Sequence, residues 1–127
     1  MEKGFVDYLS GEAPINECMF NSQMLRIGDG FKFVFVPGGS AIEDGTKYLG
    51  SERMRAVVQS LREYADYVIL DSAPVGILTD ASVLAQYADG AVFIVKKDFA
   101  KADLILSGME HLSQGNLNMV GCILNGH

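Results

Sequence analysis

The sequence is short of cysteine, histidine and basic charge, and each shortage removes a class of function. Its two cysteines, Cys18 and Cys122, have no C-x-x-C spacing and no histidine pattern beside them, so neither a zinc site nor a disulfide framework is signalled. Cys122 lies in the apolar run Met119-Val120-Gly121-Cys122-Ile123-Leu124 and reads as a small buried hydrophobe. The two histidines offer no metal-ligand pair: His111 has no ligand four residues on, and His127 is terminal. Ten Lys and Arg against 16 Asp and Glu leave a formal net charge of -6. That balance argues against a sequence-independent grip on nucleic acid or anionic lipid. No apolar run approaches the length of a membrane span, and Met1-Glu2-Lys3-Gly4-Phe5-Val6-Asp7 lacks the layout of a signal peptide. A cytoplasmic location is expected.

What is present is the profile of one soluble globular domain: 127 residues, 49% hydrophobic and 20% charged. Four apolar runs bounded by Gly, Pro, Asp or Asn read as strands buried on both faces: Phe31 to Val36, Tyr67 to Leu70, Ala91 to Lys96 and Met119 to Leu124. Continuous Val, Ile and Phe favour a parallel sheet. Between the runs lie segments of helical period. Met54, Val57, Val58 and Leu61 share one face behind Ser51, a candidate N-cap. A second helix starts near Thr79 or Asp80 and ends before Gly90. A third runs from about Ala100 to Gln114, with Leu104, Ile105, Met109 and Leu112 on one stripe and Gly115 as its stop. The order β-α-β-α-β-α-β predicts an α/β fold, a parallel sheet with flanking helices. Ahead of it, Phe5, Tyr8 and Leu9 have helical spacing, which Ser10-Gly11-Glu12-Ala13-Pro14 breaks.

The residues with most chemical content lie in Asp66-Tyr67-Val68-Ile69-Leu70-Asp71-Ser72-Ala73-Pro74, followed by Thr79-Asp80-Ala81. An apolar strand ending in Asp71 delivers a carboxylate to the C-terminal edge of the sheet, where open α/β sheets bind ligands. In phosphoryl-transfer sites such a carboxylate holds Mg²⁺, which demands oxygen ligands. An Asp at a strand end also caps turns, and Thr79-Asp80 before a helix is an N-cap signature in its own right.

The order of these segments resembles the bacterial tyrosine kinases that control capsule and exopolysaccharide synthesis. Val68-Ile69-Leu70 and Asp71-Ser72-Ala73-Pro74 match the family's Walker B run followed by D-x-x-P. Gly4-Phe5-Val6-Asp7-Tyr8-Leu9-Ser10-Gly11 looks like its G-x-x-D-Y-L-x-G segment, Phe33 to Gly39 is similar to its strand ending in P-x-G, and Ser51-Glu52-Arg53-Met54 to the start of its next helix. Asp80-Ala81, Ala88-Asp89-Gly90-Ala91 and Ile123-Leu124-Asn125 continue the match over nearly the whole chain. The septum-site-determining and chromosome-partitioning ATPases share the strand plan but match Asp7-Tyr8-Leu9 and Arg53-Met54 less well.

The resemblance implies a partial nucleotide-binding domain across residues 1–127, an incomplete P-loop NTPase-like, Rossmann-like three-layer fold. It implies ATP and Mg²⁺ as cofactors, Asp71 as catalytic residue and metal ligand, Asp80 as a further metal ligand, and Asn125 near the base. The family's Walker A loop, G-x-x-x-x-G-K-[ST], is not matched: no Gly-Lys-Ser or Gly-Lys-Thr occurs. Gly38-Gly39-Ser40 and Gly45-Thr46-Lys47 read as turn and loop. The D-x-D-x-R segment and the tyrosine-rich tail are also unmatched, and Tyr8, Tyr48, Tyr64, Tyr67 and Tyr87 read as packing residues. In the family, the strands carrying Walker A and D-x-D-x-R flank the Walker B strand, so four strands without them either close up or leave a notch.

The leading expectation is part of an ATP-dependent tyrosine autokinase regulating polysaccharide synthesis and export. It acts at the inner face of the membrane with a membrane adaptor or sister kinase subunits. The alternative is a non-catalytic nucleotide-fold module that binds such a partner. A phosphoacceptor receiver with Asp71 and Lys96 or Lys97 is disfavoured, because no acidic pair follows Val36.

Overall fold

The computed structural model describes residues 3–21, 32–40, 43–72, 80–97, 101–114 and 117–126, with only the backbone of Asp80. It resolves into two compact units, Met1–Met54 and Arg55–His127. Phe31, Pro74, Thr79, Ala100, Gly115 and His127, which carried sequence expectations, lie outside the described residues.

The first unit opens with α1 (Phe5–Ser10), a helix held at both ends by local chemistry. The Asp7 carboxylate accepts the Gly4 N–H at 2.6 Å, the acidic half of a capping box. Gly11, at φ 88°, closes the helix in the left-handed conformation that glycine adopts without a Cβ penalty, and donates its N–H to Tyr8 O at 3.1 Å. A 3₁₀ turn, Ile15–Cys18, follows. Then β1 (Phe20–Asn21) pairs antiparallel with β2 (Val34–Phe35), Phe20 opposite Phe35. The expected strand Phe31 to Val36 is thus two residues long with an antiparallel neighbour. Residues 45–47, expected in a loop, begin α2 (Gly45–Leu49), which starts after Asp44 at φ 61°.

Helix α3 (Glu52–Tyr64) follows the expected pattern. Ser51 Oγ accepts the Met54 N–H at 3.3 Å and donates to Tyr48 O at 2.6 Å, so the N-cap read from the sequence forms. Met54, Val57 and Val58 are buried, while Glu52, Arg55, Gln59 and Arg62 are exposed.

The second unit supplies the parallel sheet. α4 (Asp80–Ala85) is shorter than expected: it tightens after Ala85 into three-residue turns, Gln86 N–H to Val83 O and Tyr87 N–H to Leu84 O. β3 (Gly90–Lys96) runs parallel to β4 (Asn118–Asn125), with α5 (Ala102–Ser113) as the crossover and an irregularity between Ala91 and Val92. Arg62 ties α3 to the turn before β3, donating to Asp89 Oδ1 at 3.0 Å and Tyr87 O at 3.4 Å.

The α/β class with a parallel sheet and flanking helices therefore holds, but among the described residues the parallel sheet has two strands, not four. Tyr67 to Leu70 joins no ladder among the described residues. Ladder hydrogen bonds need a neighbouring strand as much as a β-prone sequence. Burial expectations fail where the sheet is bare. Cys122 is exposed and the buried thiol is Cys18; Tyr64 and Tyr67 are exposed, not packed; Leu104 is 66% exposed on the stripe where Leu112 is buried.

Candidate functional site

Three of the segments that carried the resemblance converge in the first unit. The Phe5 and Val6 N–H groups, free at the start of a helix, donate to Pro37 O at 2.7 Å and Gly38 O at 3.0 Å. Gly4 and Gly39 meet so closely that a Cβ on Gly4 would stand 2.2 Å from the Gly39 Cα. From the start of α3, the Arg53 guanidinium lies 4.8 Å from the centroid of the Tyr8 ring, a cation–π contact. Tyr8 also stacks on Phe5, with centroids 6.0 Å apart. Tyr8 is thus a packing residue, as read. The joining of these segments is not evident from their order along the chain. Its signal was present in part: Asp7 three residues after Gly4 has the spacing of a helix-start cap.

Two further groups in this unit have shifted proton affinity. Lys3 donates to Glu17 Oε2 at 2.5 Å, and that hydrogen bond with the carboxylate charge holds the ammonium above its ordinary value. Burial pushes the Cys18 thiol up from its ordinary 9.0, with the charges of Asp7 and Glu17 acting the same way. The Cys18 thiol donates to Pro14 O at 3.6 Å.

The residues singled out from the second unit are less gathered. Asp71 is exposed in the segment that follows α3. Asp80 opens α4. Asn125 ends β4 opposite Lys96 of β3, and its carbonyl accepts the Lys97 N–H at 3.0 Å. Asn125 therefore lies at the C-terminal edge of the parallel pair, where α/β sheets take ligands. Among the described residues no group of three His, Cys, Asp or Glu comes together to hold a metal ion. A shallow pocket of about 310 Å³ between α4 and α5 is lined by Ser82, Gln86, His111 and Leu112 among others, and excludes all three residues.

Comparison with known proteins places this geometry. No protein-family model matches the sequence. Tyrosine-protein kinase CpsD of Streptococcus agalactiae is 26% identical over 123 residues, 97% of this chain and 51% of the relative. Tyrosine-protein kinase Etk of Escherichia coli K12 is 26% identical over 125 residues, 98% of this chain and 16% of the relative. Among solved structures, the kinase domain of E. coli Etk superposes with a TM-score of 0.86 at 25% identity, over 98% of this chain and 47% of that one. This chain is similar to bacterial tyrosine kinases over nearly its whole length. The VpsO kinase domain shares the fold, with a TM-score of 0.85 at 19% identity over 99% of this chain and 59% of its own. The chain spans about half the length of CpsD.

Proposed function

We propose that this chain contributes the Walker-B-bearing part of an ATP-dependent protein tyrosine kinase that regulates capsule or exopolysaccharide synthesis and export. The observation that carries this reading is the match over 98% of the chain to the Etk kinase domain, at a TM-score of 0.86. In this reading Asp71 is the carboxylate that meets Mg²⁺, Asp80 is a further ligand of the metal, and Asn125 faces the base. Bound Mg-ATP would supply the phosphoryl group, and the protein's part is positioning and electrostatic stabilisation.

The residues present fit that cofactor only in part. Asp71 is open to solvent and can give one oxygen ligand, whereas Mg²⁺ in such sites is held by one or two carboxylates together with substrate phosphates. No Gly-Lys-Ser or Gly-Lys-Thr is present in the 127 residues to hold those phosphates. These residues by themselves therefore bind Mg-ATP weakly and do not turn it over. Among the described residues no helix is long and apolar enough to cross a membrane. Action at the inner face of the membrane would then rest on a partner, such as a membrane adaptor or a sister kinase subunit, or on a segment beyond these residues. The same gap supports a second reading, a non-catalytic module that binds such a partner.

Thermal unfolding of the purified chain with and without Mg-ATP tests this. A ligand at a hundred times its dissociation constant adds about 2.7 kcal/mol to stability. No shift is expected for the chain alone. A clear shift, abolished by Asp71→Ala, would replace the proposal with a self-sufficient nucleotide site. The two readings separate once a kinase partner is supplied: tyrosine phosphorylation that needs Asp71 supports the first, and complex formation indifferent to Asp71 and to nucleotide supports the second.

A further inference from the structure

Of the five tyrosines, Tyr8, Tyr48 and Tyr87 are half-buried, and Tyr8 is in contact with both Phe5 and Arg53. Tyr64 and Tyr67 are 78% and 89% exposed. Burial thus accounts for three of the rings and leaves two that contribute little to packing. Each of the two directly follows an exposed carboxylate, Glu63 before Tyr64 and Asp66 before Tyr67.

Tyr64 is also the last residue of α3, where added charge has a structural effect. The final carbonyls of a helix carry a partial negative charge. The last turn is closed by the Ala65 N–H, which donates to Leu61 O at 2.9 Å. Arg62, the basic residue of that turn, is engaged with Asp89 Oδ1 at 3.0 Å and Tyr87 O at 3.4 Å. The end of α3 and its link to the turn before β3 therefore lie within two residues of an open phenol.

We propose that Tyr64 is a phosphoacceptor for a tyrosine kinase of the type this chain is similar to, and that its phosphate loosens the end of α3. In the step, Tyr64 Oη bonds to the γ-phosphorus of ATP, the bond from that phosphorus to the β–γ bridging oxygen breaks, ADP leaves, and the phenolic proton passes to solvent. The phosphate adds about -1.5 to -2 charges at neutral pH. It stands one residue after Glu63, two before Asp66, and at the negative end of the helix, so all three interactions oppose the folded last turn. An Arg62 side chain drawn onto the phosphate gives up its bonds to Asp89 and Tyr87. The inference rests on the kinase reading for its chemistry only. A separate enzyme supplies the kinase in the test, so the result at Tyr64 is independent of whether Asp71 of this chain meets Mg²⁺.

The test incubates the purified chain with the kinase domain of E. coli Etk and Mg-ATP. Tandem mass spectrometry locates the phosphate, and backbone amide exchange compares the phosphorylated chain with the unmodified one. Phosphate is expected on Tyr64 in the native chain and in Tyr67→Phe. Amides of residues 62–65 should then exchange about two- to fivefold faster, the effect of a misplaced charge at a helix end. In Tyr64→Phe, which keeps the ring and removes the acceptor, the same treatment should leave those amides unchanged. Three outcomes overturn the proposal: no phosphate on Tyr64, phosphate on Tyr64 with unchanged or slower exchange at residues 62–65, or the same acceleration in treated Tyr64→Phe.

Discussion

Gly4 and Gly39 approach so closely that neither leaves room for a side chain on Gly4: a Cβ there would meet the Gly39 Cα at 2.2 Å and its N at 2.3 Å. The contact is backbone against backbone, so no rotamer change relieves it. It seats the start of α1 on the carbonyls of Pro37 and Gly38.

Gly4→Ala should therefore destabilise the chain by roughly 1–3 kcal/mol, the range for overpacking a filled site. Gly4 has φ -126°, an extended backbone open to alanine, so the loss is steric. Gly45→Ala, at the first position of α2 with nothing within 4 Å, should have the opposite sign, a gain of roughly 0.4–1 kcal/mol from the lost freedom of the unfolded chain. Urea unfolding of the two variants checks both signs.

The Arg53 contact with Tyr8 should be measurable as a coupling. A double-mutant cycle with Arg53→Ala and Tyr8→Leu is expected to return about 0.5–1 kcal/mol, the scale of a cation–π pair near the surface. A coupling near zero would mean that the segments are joined by the backbone hydrogen bonds of α1 alone.

The two cysteines should behave oppositely. With a thiol reagent at neutral pH, Cys122 should react first, and Cys18, fully buried, only as the first unit opens. Because burial raises the Cys18 thiol above 9.0, the folded chain keeps that proton longer than the unfolded chain. Its contribution to stability is complete below pH 9 and is lost as pH rises beyond it. Unfolding at a series of alkaline pH values should show a decline that is shallower in Cys18→Ala.

Asp71→Ala should change the stability of the isolated chain by no more than about 0.5 kcal/mol, the ordinary effect of an exposed substitution. A larger loss in chemical denaturation would give Asp71 a structural role and weaken its assignment as a metal ligand.

Much of the local structure was legible in the residues. Ser51 three positions before Met54, and Met54, Val57 and Val58 on one face, specify α3 because capping and helical period act within a few residues. The apolar runs of β3 and β4, separated by a helix-length segment, likewise specify a parallel pair. The same reasoning misplaced Tyr67 to Leu70. Its composition is that of a buried strand, and composition cannot say whether a neighbour is there to bury it.

By itself, the sequence determined α1, α3 and α5, the parallel β3–β4 pair, the position of Asp71 after an apolar run, and the family it resembles, since each depends on spacing along the chain. Only the tertiary structure decided that Gly4, Gly39, Tyr8 and Arg53 meet, that Cys18 rather than Cys122 is buried, and that residues 67–71 join no ladder among the described residues. Close approach, burial and strand pairing are relations between segments distant in sequence, and they are set by what packs against each residue.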